Sequence, residues 1–129
     1  MITFIKQYWR SGFIFCLIFY VSTMRIPDMP HVPTFTNEDK LVHILMYFTL
    51  TAAIYRDIMK AQVKMQKYVF ILIVLTFPIT YGGIIEILQG AFFPPRTADW
   101  FDFFADAIGS SFAFLLMPKI LKLKKRIIS

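Results

Sequence analysis

The chain has 129 residues, of which 57% are hydrophobic, with a mean hydropathy of +0.60 and a formal net charge of +6. That length fits one domain, 1-129, and so large an apolar share exceeds what a soluble domain of this size tolerates, which points to an integral membrane protein in the lipid bilayer. The basic excess does not indicate nucleic acid. Eleven of the 14 Lys and Arg flank apolar segments in alternate connections: Lys6 and Arg10; Arg56, Lys60, Lys64 and Lys67; Lys119, Lys122, Lys124, Lys125 and Arg126.

Four membrane helices are expected, at about Gly12 to Met24, Leu41 to Tyr55, Tyr68 to Leu88 and Trp100 to Met117. The first follows Lys6 and Arg10, but its end, Val21-Ser22-Thr23-Met24, is a poor cleavage site, so it reads as a retained anchor with Tyr8 and Trp9 in the interfacial belt. It also holds the single cysteine, Cys16, so no intrachain disulfide can form. The first loop, Arg25 to Glu38, carries Pro27, Pro30 and Pro33 and is read as extended chain. The second loop, Arg56 to Lys67, is basic, and the third, Gly90 to Asp99, is turned by Pro94-Pro95.

Seven of the 8 acidic residues lie in the other connections or on the helix ends beside them, Asp57 being the exception. This asymmetry predicts an all-α, four-helix transmembrane bundle with both termini cytoplasmic. The polar residues of the spans then gather at the outer end. Asp39, Lys40 and His43 begin the second helix, Glu86 and Gln89 end the third, Arg96 lies in the loop, and Asp99, Asp102 and Asp106 begin the fourth. An ionisable group at a helix centre costs roughly 2.5 to 3.5 kcal/mol on insertion scales, so several at one depth need a common explanation.

Spacing agrees with depth. His43, Tyr47 and Thr51 recur every four residues, Asp99, Asp102 and Asp106 share a face, and so do Gly82, Glu86 and Gln89. Gly82 and Gly83 are expected to admit a neighbouring backbone, and Pro78 to bend the third helix below the glutamate. Phe92, Phe93, Trp100, Phe101, Phe103 and Phe104 read as an aromatic belt at the outer interface.

The spacing Asp39-Lys40-x-x-His43-x-x-x-Tyr47, then Glu86-x-x-Gln89, then Arg96 followed by Asp99, Trp100, Asp102 and Gly109, resembles the VanZ-like family of small bacterial membrane proteins. The likeness spans Asp39 to Leu116, within a motif-bearing part 39-116. It departs at Asp106, where the family usually has Asn, and at Ala113, where a second Gly is frequent. The resemblance implies a multi-pass protein of the bacterial cytoplasmic membrane. One family member is associated with teicoplanin resistance, which implies action on a lipid-linked or cell-wall ligand reached from the extracytoplasmic side.

Three readings of the cluster stay open. A scaffold would use Lys40 and Arg96 to neutralise carboxylates and fix helix register, although two fixed cations face five acids, Asp39, Glu86, Asp99, Asp102 and Asp106. A binding pocket for an envelope component would use the whole set, Asp39, Lys40, His43, Tyr47, Glu86, Gln89, Arg96, Asp99, Asp102 and Asp106. An enzyme acting on a lipid-linked or phosphorylated substrate would use His43 as acid or base with Glu86 and Asp102, while Lys40 and Arg96 held an anion. No known catalytic fingerprint is present, no cofactor is indicated, and no spacing is diagnostic of a metal site, although carboxylates with one histidine are chemically competent for one.

Overall fold

The computed structural model describes residues 1–23, 38–92 and 98–128, with side chains up to residue 123 in the last helix. The secondary structure among them is all helical: α1 (Ile2–Thr23), α2 (Glu38–Ala61), α3 (Lys67–Phe92) and α4 (Trp100–Ile128). Three helices are long and apolar enough to cross a membrane, over Asp39–Ala61, Lys67–Phe92 and Trp100–Leu123. The 22 residues of α1 could reach about 33 Å, but Lys6, Gln7 and Arg10 make its first half polar. The proline-rich first loop, Phe93, Pro94-Pro95 and Arg96 lie outside the described residues.

The helices run beyond the expected apolar segments because polar residues extend them. α1 begins at Ile2 rather than near Gly12, and Ser11, in its middle, donates to Asp57 of α2 through both its backbone N–H (3.2 Å) and its hydroxyl (2.8 Å). Asp57, the acidic residue that broke the charge pattern, is only 2% exposed, and this tie carries α2 past Tyr55 to Ala61. The following Gln62 adopts a left-handed φ of 53°, as residues just past a helix C-terminus commonly do. α4 continues through Pro118 rather than ending at Met117.

Pro78 acts one turn before its own position. Proline has no N–H and its ring crowds the carbonyl four residues back, here Val74. The helix widens into a π turn over Leu72–Thr76 and resumes α geometry at Phe77.

α2 is the hub, touching all three other helices, and its contact with α4 is the most extensive. Tyr47, Leu50, Thr51, Ile54 and Ile58 form its buried face, a helical spacing, and meet Ile18 of α1, Val74, Tyr81 and Ile85 of α3 and Met117 of α4. From α4 a stripe of small residues, Ala105, Gly109 and Ala113, faces inward. A Cβ on Gly109 would strike the carbonyl oxygen of Ile44 and come within 3.0 Å of its Cα, so this glycine sets the distance between α2 and α4. The close backbone approach therefore falls at Gly109 rather than at Gly82 and Gly83, which face side chains instead.

Polarity is inverted relative to a soluble domain. Asp57, Glu86, Gln89, Asp106 and Ser110 are buried, whereas Phe13, Phe101, Phe112, Leu115 and Leu123 are exposed. A bilayer supplies the medium in which that arrangement is stable.

Gly109→Ala is expected to lower stability by about 1–3 kcal/mol through overpacking against the Ile44 backbone. Gly12→Ala, with nothing within 4 Å, should be neutral or stabilising. Thermal unfolding of both variants in one detergent tests the pair, and equal melting temperatures would show that α2 and α4 are not held at the glycine.

Candidate functional site

The first turns of α2, the last turns of α3 and the first turns of α4 lie at one end of the bundle, where their polar residues form two adjoining clusters. The outer cluster surrounds one ammonium. Lys40 Nζ lies 3.3 Å from Asp39 Oδ2, 3.2 Å from Asp99 Oδ2 and 3.2 Å from Asp102 Oδ1. Asp99 also caps α4, its Oδ1 accepting from the Phe101 N–H at 2.9 Å and its backbone carbonyl accepting from the Asp102 N–H at 3.0 Å. The Phe101 N–H, seconded by the Lys40 ammonium, holds the Asp99 carboxyl below the usual carboxylate range.

Deeper in the bundle stand His43, Glu86 and Asp106, one from each of three helices, with donor atoms all within 4.8 Å of one another. His43 Nδ1 lies 2.8 Å from Asp106 Oδ1, and its Nε2 is 3.7 Å from Asp102 Oδ2. Asp102 thus links the two clusters. Glu86 is wholly buried; its Oε2 accepts from the Asp99 N–H at 2.9 Å, while Oε1 has no partner among the described residues.

Glycines shape the space around these groups. A Cβ on Gly82 would come within 2.5 Å of Asp106 Oδ2, and one on Gly83 within 3.2 Å of the Phe103 ring. Asp106 therefore fills the notch over Gly82, one turn from Glu86 on the same face of α3. A larger residue at position 82 would push the carboxylate away from His43.

Of the residues expected at the site, Asp39, Lys40, His43, Glu86, Asp99, Asp102 and Asp106 come together. Tyr47, 1% exposed, lies one turn beyond His43, but its hydroxyl has no partner among the described residues. Gln89 points elsewhere, donating from Nε2 to the Ser22 carbonyl at 2.8 Å and bracing α3 against α1. Arg96 lies outside the described residues. With three carboxylates around it, Lys40 is already engaged and is a poor holder of an anionic substrate.

Sequence reasoning passed over Ser110, fully buried and unpartnered among the described residues one turn beyond Asp106. Its i+4 spacing from Asp106 was the available clue. No protein-family model, curated protein or solved structure matches this chain.

Glu86→Gln keeps an oxygen for the Asp99 N–H and should fold normally, whereas Glu86→Leu strands that N–H and should cost about 1–3 kcal/mol. Comparing melting temperatures and membrane abundance of the two variants tests the hydrogen bond. Equal loss in both would mean that the charge of Glu86, not its acceptor role, holds α4 in place.

Proposed function

We propose that this chain is a VanZ-like multi-pass protein of the bacterial cytoplasmic membrane that binds a cell-envelope component from the extracytoplasmic side and thereby alters susceptibility to glycopeptide-type antibiotics. One observation carries the binding part: acidic groups of α2, α3 and α4, distant in sequence, meet with Lys40 and His43 at one end of the bundle. Family and phenotype rest on the motif resemblance alone. The outward orientation rests on the placement of basic residues, which assigns the cluster end and both loops beside it to the outside. Because the rim holds three carboxylates to one ammonium, it favours a cationic group, such as an envelope amine, over a phosphate.

A second reading has its own support. Glu86 holds the start of α4 and Gln89 holds the end of α1, so both also serve as braces. A non-catalytic scaffold would need nothing more.

Topology can be checked in a Cys16→Ala background, where Thr34→Cys should react with an impermeant thiol reagent in intact cells and Lys64→Cys should not. The reverse pattern would place the cluster on the cytoplasmic side. Function is checked by glycopeptide susceptibility: His43→Ala combined with Glu86→Gln should abolish any effect of the wild-type protein at matched abundance. An unchanged effect would reject the binding-site reading, whereas loss of the protein itself would favour the scaffold.

A further inference from the structure

We propose that His43, Glu86 and Asp106 form the ligand set of a divalent cation of the zinc type, held inside the bundle beneath the Lys40 rim. This site stands independently of the envelope-binding reading. Three observations carry it.

The first is the contrast between the two acidic clusters. Asp39, Asp99 and Asp102 could also gather around an ion, but the Lys40 ammonium already stands among them at 3.2–3.3 Å. The inner group has an equivalent convergence of donors, yet no Lys or Arg among the described residues touches it. Glu86 is 0% and Asp106 1% exposed, so a negative charge on either would go unscreened by solvent. One divalent ion neutralises both and leaves His43 free to ligate as the uncharged imidazole.

The second is the presence of polar atoms that the protein itself does not satisfy. Glu86 Oε1 and the Tyr47 hydroxyl are buried without partners among the described residues, and Tyr47 lies on the same face of α2 as His43. Leaving such groups unpaired costs about 1–3 kcal/mol each. They suit a metal ligand and a hydrogen-bonding partner for a metal-bound water.

The third is the orientation of the imidazole. Nδ1 faces Asp106 inside the cluster while Nε2 faces Asp102 at 3.7 Å. A ligating histidine typically gives its other nitrogen to a carboxylate, which fixes the tautomer. Lys40 in turn holds Asp102 from the outside. One nitrogen and two carboxylates match a four-coordinate zinc site with one position for water, and fall short of the six to eight oxygens that Ca²⁺ takes.

The test uses the full chain, untagged, in lipid nanodiscs after chelator treatment. Zn²⁺ bound per chain is counted by elemental analysis, and Co²⁺ is added separately to read its visible spectrum. Wild type should bind one equivalent saturably and give Co²⁺ absorption with histidine and oxygen ligation. His43→Gln and Glu86→Gln should each remove it, Asp102→Asn should weaken affinity by about 10–100-fold, and Asp39→Asn should leave it intact. Absence of saturable wild-type binding overturns the proposal whatever the variants do. So does binding that survives His43→Gln with Glu86→Gln, or that disappears in Asp39→Asn, since either places the ion elsewhere.

Discussion

Two carboxylates that cannot reach water, Glu86 and Asp106, constrain everything around them. Each must find partners inside the bundle, because the penalty for an isolated buried charge is several kcal/mol, comparable with the whole stability of a small domain. Glu86 meets part of that need from the backbone N–H of Asp99, the residue that caps α4. The end of α3 and the start of α4 are therefore joined by one side chain across a short connection. Asp106 finds His43 of α2, and the same three helices close around both acids. The helix ends are held in place by electrostatics, and apolar packing fills in below.

That packing depends on the absence of side chains as much as on their presence. Gly82 leaves the notch occupied by Asp106, Gly83 the space beside Phe103, and Gly109 the contact with the Ile44 backbone. In lipid there is little hydrophobic drive between helices, so close approach and polar contacts must supply the association. Ala105, Gly109 and Ala113 let α4 lie against α2, which brings Asp106 within hydrogen-bond distance of His43. Ala113 is wholly buried with its methyl group, one turn beyond Gly109 on the same face of α4.

Much of this was legible in the sequence because the polar periodicities of the helices agree with their order along the chain. The spacing of His43 with Tyr47, and of Asp99, Asp102 and Asp106, placed each set on one face, and the helix order placed those faces at one end. What the sequence could not convey was pairing. Nothing in the spacing distinguishes Gln89 as a brace to Ser22 from Gln89 as a ligand, since either use needs the same face of α3. Nor does spacing reveal that Asp99 caps a helix while also meeting Lys40, because one carboxylate has two oxygens and both are used. The helices outrun their apolar segments for a related reason: polar residues such as Ser11 and Asp57 continue a helix past an apolar run when they satisfy each other.

The division into rim and inner cluster bears on whether this network only orders helices. A purely structural network would gain most from pairing every acid with a fixed cation near the surface, where both can remain hydrated. The rim follows that pattern, with the flexible Lys40 shared among partly exposed carboxylates. The inner group departs from it, placing two acids in the least hydrated position with only an imidazole between them and the rim. An amide at position 106 could also bond His43 without adding a charge. Placing a carboxylate at so costly a depth makes sense if a positive charge arrives from outside the chain, and His43, the one described group that contacts Asp106 and faces Asp102, stands where that charge would be admitted or excluded.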